Sequence, residues 1–331
     1  LIDILRTVRE KLKYLPARLF NFHNDGDNKD IFIFTSPRSG STWLMELIAS
    51  QDNIKYVNEP LHINRHKGLL TDINPNWVEI YSGQDRKRKF CNFFNRIISE
   101  ELFVGQQKFK EIHKGQFDYF TNRRVFKILR GKDLINVFEE KFEIQVVYLL
   151  RHPIAVALSL MKEDLEDRVN HFLANKDYKE QFLHDDLIEF SRSILKNGSR
   201  FEIKILQWCL ENLPSLKFLN NKNWIVISYE EMVVEEEKIL RELYKELELE
   251  NLDKLYSQVK IPSRTTDEKN QKFINDSTNE IINKEFLIKK WDNVVSQIQK
   301  EKAFAILDEF GIDIYQLGQF TINKKSEFFI N

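Results

Sequence analysis

Residues 31–44 read IFIFTSPRSGSTWL, and this stretch limits the possible folds more than any other. The β-branched and aromatic run Ile31 to Thr35 predicts a buried strand. Pro37 and Gly40 bend the chain, and Ser41 or Thr42 can cap a helix that begins near Trp43 and Leu44. A strand that turns straight into a helix is the opening of an α/β unit, and it builds an anion site. Backbone N–H groups at a helix start lack partners, and the helix dipole favours negative charge there. Arg38 adds a fixed cation, and Ser39, Ser41 and Thr42 add hydroxyl donors. A phosphate or sulfate group is the natural occupant.

The loop is not a Walker A sequence, which needs Lys directly after its last Gly and then Ser or Thr. Gly40 is followed by Ser41, and the loop's cation, Arg38, precedes the glycine, so an ordinary nucleoside triphosphatase is disfavoured. Alone, the loop could equally be a plain turn with hydroxyls placed by chance. A second segment shifts the balance. Residues 144–162, IQVVYLLRHPIAVALSLMK, predict a strand to Leu150, then Arg151, a break at Pro153 and a helix carrying Ser159. An Arg at a strand's carboxyl end and a Ser on the next helix can both face the crevice where open α/β sheets bind ligands. The bland reading is a surface pair and an ordinary helix serine. Taken with the first loop, the segment suggests two phosphate grips on one nucleotide.

The chain has 331 residues, 42% of them apolar, which suits one large α/β domain with insertions. Its 26 Phe point to an aromatic core. Fifty cations against 51 anions leave a formal net charge of −1, so no global basic field draws it to nucleic acid. Cys91 and Cys209 cannot make a disulfide framework. No apolar run is long enough to span a bilayer, and no His or carboxylate cluster suggests a metal.

The expected organisation is an amphipathic helix and linker over 1–29, a domain over 30–320 with an insertion at about 62–122, and a tail over 321–331. In the first helix Leu5, Val8, Leu12 and Leu15 share a face, with Arg6, Arg9, Lys11 and Lys13 around it. Such a helix either packs on the domain or associates weakly with a membrane surface. Further strands are expected at 125–129 and 224–228, and helices at 201–213, 235–247 and toward Phe310. Residues 260–283 read as a loop or lid.

The two segments resemble the 5′-phosphosulfate loop and 3′-phosphate site of sulfotransferases that use 3′-phosphoadenosine 5′-phosphosulfate (PAPS). VNEPLH (57–62) is similar to the F-E-P-L-x-H element of Golgi-type carbohydrate sulfotransferases. VFKILRGKDL (125–134), WIVISYEEMV (224–233) and the Trp291 to Gly311 region resemble later family elements in the same order. The resemblance implies a P-loop-like three-layer α/β fold with a central parallel sheet. It assigns Arg38, Ser39, Gly40, Ser41, Thr42 and Trp43 to the 5′ end of the donor, and Arg151 and Ser159 to the 3′-phosphate. Ser263, Arg264 and Thr266 would form a covering loop. Arg38 is the expected charge-stabilising cation, Glu59 the base, and His62 its rival. Lys127 and Arg130, expected just after a strand's end, would bind sulfate or an anionic acceptor, or else are solvated cations. The chain departs from the family pattern at His152, Ile154 and Ile312. Residues 62–122 and 163–200 align with nothing familiar and are expected to shape the acceptor pocket.

The implied activity is sulfuryl transfer from PAPS, without a metal, to a carbohydrate hydroxyl. A tyrosine-peptide or small-alcohol acceptor, and a non-catalytic nucleotide-binding protein of the same fold, are the alternatives. Few cysteines and no visible anchor suggest a cytoplasmic setting. The Golgi-like motifs suggest a Golgi lumen if an upstream anchor was removed. Nothing in the sequence sets the oligomeric state.

Overall fold

A computed structural model describes residues 2–70, 73, 84–113, 116–221, 223–264 and 284–329. Helices α1 (Ile2–Lys13) and α2 (Leu15–Phe20) come first, then β1 (Phe22–His23), β2 (Ile31–Thr35), α3 (Ser41–Ile48) and β3 (Ile54–Asn58). The later strands are β4 (Phe120–Thr121), β5 (Arg123–Ile128), β6 (Gln145–Leu150) and β7 (Ile225–Ser228). Five of them form the central sheet in the order β3-β5-β2-β6-β7, while β1 and β4 make a separate parallel pair. The expected parallel α/β sheet flanked by helices is present. Ile31 lies opposite Val125 and Asn58 opposite Lys127, both in parallel register. All five residues of β2 and all six of β5 are buried, as parallel strands covered on both faces require.

The chain divides into two compact units. The first comprises Leu1–Phe34, Thr42–Val147 and Leu243–Ile261, and the second Thr35–Ser41, Tyr148–Glu242 and Pro262–Asn331.

The first unit is built on the expected aromatic core. Phe32 stacks on Phe126 at 4.2 Å, and Phe94 meets Phe138 edge-on at 4.7 Å. Phe94 comes from a 15-residue helix, Gln84–Ile98. That helix also buries Phe90 and Ile97 completely, so this part of 62–122 contributes to the core. Buried Arg124, on β5, is held by Asp25 at 2.7 Å and Asp30 at 2.9 Å. The single amphipathic helix expected within 1–29 breaks at Tyr14, with Pro16 in the first turn of α2, where its missing N–H is harmless. Leu5, Val8 and Leu12 of its apolar face are exposed.

In the second unit the helix Arg200–Leu216 is buried along most of its length, its polar Lys204, Gln207, Glu211 and Asn212 included, because other helices pack around it. A capping box, Ser199 with Glu202, fixes its start. The helices Pro153–Lys162 and Gln297–Glu309 pack on it. Among the described residues no helix is long and apolar enough to cross a membrane.

Candidate functional site

The second unit carries the loop Thr35–Ser41, which is pinned from below. The Thr35 hydroxyl donates to the Leu149 carbonyl at 2.7 Å, and the Ser36 hydroxyl to Asn212 Oδ1 at 3.2 Å. Asn212 also accepts from the Tyr148 hydroxyl at 2.9 Å. The loop then rises through two left-handed residues, Arg38 at φ 68° and Gly40 at φ 85°. Glycine is required at position 40 twice over. The backbone is left-handed there, and an added Cβ would lie 2.6 Å from the Tyr229 ring. The following helix begins at Ser41, two residues before the expected start, which moves the cap position back to Gly40.

Two of the sequence-predicted grips meet here. Arg38 Nε donates to Ser159 Oγ at 2.9 Å, and Arg151 Nη1 donates to the Arg38 carbonyl at 2.7 Å. Arg38 Nη2 also reaches Glu163 Oε1 at 3.3 Å, a half-exposed pair of the kind worth ~0–1 kcal/mol. The Arg38 guanidinium therefore lies with Ser159, on the helix after β6. Arg151 stacks over the Tyr229 ring at 4.2 Å, and the Trp208 indole donates to the Arg151 carbonyl at 3.1 Å. Arg151 Nε is buried with no hydrogen-bond partner among the described residues. A buried charged donor left unpaired is costly, and an anion would satisfy it. Two guanidiniums, one with an unused N–H, and a hydroxyl that can still donate form a donor-rich set that fits a phosphate group, with the Glu163 carboxylate paired to Arg38 at its side.

Behind Arg151 the chain is locked. The His152 amide donates to Glu230 Oε1 at 3.0 Å, and the Tyr315 hydroxyl donates to Glu230 Oε2 at 3.0 Å. Burial pushes the Glu230 carboxyl up to about 7, although these donors and Arg151 pull the other way. The His152 ring stacks on Trp291 at 4.3 Å, and burial pushes its pKa down to about 3, so it is neutral packing.

The first unit holds the other predicted residues. Lys127 lies inside β5 rather than beyond a strand's end, and it is buried rather than solvated. Its Nζ is 2.8 Å from Glu59 Oε1 and donates to Thr42 Oγ1 at 2.8 Å. Both cation and carboxylate are nearly inaccessible, at 5% and 10% side-chain exposure. Glu59 follows β3 at φ 50°, and its amide donates to the Lys127 carbonyl at 3.0 Å. The neighbouring Asn58 amide donates to the Gly105 carbonyl at 2.9 Å. Burial raises the Glu59 carboxyl, but Lys127, Arg65 and His62 outweigh it and hold the group below the usual carboxylate range. Arg65 Nη1 and His62 Nε2 each stand 3.9 Å from Glu59 Oε2. Burial, with the charges of Arg65 and Arg130, lowers His62 to about 4. His62 Nδ1 accepts the Arg65 amide N–H at 3.3 Å, so the neutral ring carries its proton on Nε2. Arg130, two residues beyond β5, is 9% exposed, which also excludes the solvated reading.

The remaining predicted residues are placed as follows. Ser39 is buried in the loop, and Ser41 and Thr42 are buried in the first turn of α3. Trp43 uses its indole N–H on the Val259 carbonyl at 3.2 Å. Ser263 is buried and Arg264 exposed; Thr266 lies outside the described residues. Sequence reasoning missed Arg65, Glu163, Asn212 and Tyr229 as partners. Tyr229 stood inside the quoted VISYEE stretch, whereas nothing local marks Asn212 or Glu163. Among the described residues no group of three or more His, Cys, Asp or Glu could hold a metal ion.

Several solved structures are similar to this chain over most of its length. The sulfotransferase domain from the curacin biosynthetic pathway is 16% identical, with 87% of this chain and 99% of that one covered and a TM-score of 0.44. A mouse sulfotransferase, SULT7A1, complexed with PAP is 15% identical over 92% of this chain and 90% of its own, with a TM-score of 0.39. Retinol dehydratase, in complex with androsterone and inactive cofactor PAP, is 11% identical over 93% and 88%, with a TM-score of 0.36. No curated protein matches the chain. A model of the sulfotransferase family matches residues 30–254, more than half of the sequence, and the chain belongs to that family.

Proposed function

We propose that this sulfotransferase moves a sulfuryl group from PAPS to a hydroxyl of a carbohydrate acceptor. The observation that carries the donor assignment is the Arg38–Ser159–Arg151 cluster, with its buried, unused Arg151 Nε. In this reading Arg151 and Ser159 bind the 3′-phosphate, and the Arg38 guanidinium, expected at the 5′ end as the charge-stabilising cation, joins them because it is bonded to Ser159. The Ser39–Thr42 segment offers hydroxyls and the amides of the α3 start to the 5′ end. When bound, the donor supplies an activated sulfuryl group; the chain supplies position, charge and a proton acceptor. Positioning accounts for several kcal/mol of such a barrier, and aimed donors add roughly 3–4 kcal/mol each.

Glu59 is the proposed base. Its depressed pKa keeps it ionised at neutral pH, and Lys127 fixes it beside Thr42 in the first turn of α3. His62 suits the role poorly, because one ring nitrogen accepts an amide proton and the other bears the proton. Lys127, occupied by Glu59 and Thr42, serves as a holder of the base rather than as an acceptor site. The carbohydrate assignment rests on the stretch VNEPLH (57–62) and its resemblance to the Golgi-type element.

The test is Glu59→Gln with a radiolabelled donor and a glycan panel. Turnover should vanish while affinity for adenosine 3′,5′-bisphosphate stays within about twofold of wild type. Retained turnover removes Glu59 as base. Transfer to tyrosine peptides or simple alcohols, but not to glycans, overturns the acceptor assignment. ATP with magnesium outcompeting the bisphosphate overturns the donor assignment.

A further inference from the structure

Helix α1 is docked by its polar side. Glu10 is 3% exposed, and its carboxylate accepts the Gly68 amide N–H at 3.0 Å. The Thr7 hydroxyl donates to the Gly68 carbonyl at 3.2 Å. Tyr14, just past the helix, is buried as well. The apolar stripe points the other way. Leu5, Val8 and Leu12, spaced to share one face, are 61%, 49% and 55% exposed. The exposure continues along the chain through Leu19 and Phe20 of α2 to Phe22, which stacks on equally exposed Phe120 at 5.7 Å.

A helix that merely covered its own core would turn Leu5, Val8 and Leu12 inward and Glu10 outward. This one is inverted, so it presents a face for something else. The charges around that face identify its chemistry. Arg9, Lys11, Lys13 and Arg18 are all exposed, while Glu10 is withdrawn from the surface. Large aliphatic and aromatic side chains flanked by long cations match a bilayer interface with anionic headgroups. A second copy is a poor occupant. A two-fold contact would set this stripe and its cations against their own images, and like charges would face each other.

We propose that α1, α2 and the Phe22–Phe120 pair form a docking face by which the first unit seats on an anionic phospholipid surface. Leu5, Val8, Leu12, Phe22 and Phe120 enter the acyl boundary, and Arg9, Lys11, Lys13 and Arg18 lie among the headgroups.

The test is flotation of the full chain with vesicles of phosphatidylcholine alone or mixed with phosphatidylserine, at low and high salt. The chain should float with the anionic vesicles, less at high salt, and scarcely with phosphatidylcholine alone. Leu5→Glu with Leu12→Glu should cut partitioning by more than roughly tenfold. Arg9→Gln and Lys13→Gln should each cut it by roughly fivefold. If the Leu5/Leu12 double variant fails to fold, Phe22→Glu with Phe120→Glu carries the same expectation. No flotation with anionic vesicles overturns the proposal. Unchanged flotation of both double variants does so too, as does a dimer in light scattering that these substitutions dissolve.

Discussion

The basic cluster of the second unit and the ion pair of the first are both charged, yet they are built on opposite principles. Arg38 and Arg151 stand half-accessible, with donor capacity to spare and one buried N–H unmatched. Lys127 and Glu59 are buried and neutralise each other, and Lys127 also holds Thr42. The first arrangement keeps its attraction for an outside anion, so its loss should appear in binding. The second is self-satisfied, so its loss should appear first in stability. Buried pairs are costly to break because the surviving charge is stranded, whatever the intact pair contributes.

The largest effect should come from Lys127→Met. It strands the Glu59 carboxylate, and urea unfolding should show a loss of about 3–5 kcal/mol. Adding Glu59→Gln should restore most of that loss. A loss under about 1 kcal/mol would mean that the pair is solvated and that the contrast with the arginine cluster is wrong.

Arg151→Ala should leave urea stability nearly unchanged and weaken adenosine 3′,5′-bisphosphate binding by ~2–3 kcal/mol, read by calorimetry. Equal losses in stability and binding would make Arg151 a structural residue. Gly40→Ala tests the loop between these extremes. The left-handed backbone and the Tyr229 ring should together cost about 1–3 kcal/mol of stability and lower donor affinity as well. A fully stable Gly40→Ala protein would show that the loop is not held against Tyr229.

The smallest effect concerns pH, and the two buried carboxyls should respond oppositely. Glu59 has a lowered pKa, so its contribution is present above the unfolded-state value and is lost as acid carries the pH through the folded value. Glu230 has a raised pKa of about 7, so its contribution is full below the unfolded value near 4.5 and fades as pH rises toward 7. Glu230→Gln should remove that fading, on the order of 1–3 kcal/mol between those limits. Parallel stability curves for variant and wild type over that range would show that Glu230 titrates normally.

Strand β2, the turn after it and the helix start were legible because they are local. An apolar run, a Pro and Gly break and hydroxyl residues act within about a dozen positions, and the structure repeats them with a two-residue shift at Ser41. The break at Arg151 and Pro153 was legible for the same reason. The strand expected at 125–129 takes in Lys127, but the sequence left open whether its side chain is solvated or buried, because that depends on the neighbouring strands. Asn58 of β3 lies opposite Lys127, and Phe34 of β2 lies opposite Ile128. The exposed face of α1 was only half legible. Periodicity gave the stripe, but it could not say which side the domain would take, since that was settled by Gly68 binding Glu10 and Thr7.

Sequence alone determined that this chain contains strand–turn–helix units rich in anion donors, since hydrophobic period, backbone freedom and hydroxyl chemistry are properties of short segments. Tertiary structure decided which charges stand ready and which are spent. Arg38 finding Ser159 across 121 residues, or Lys127 finding Thr42 across 85, is a matter of packing geometry and desolvation, and neither is encoded in the spacing of residues along one strand or helix.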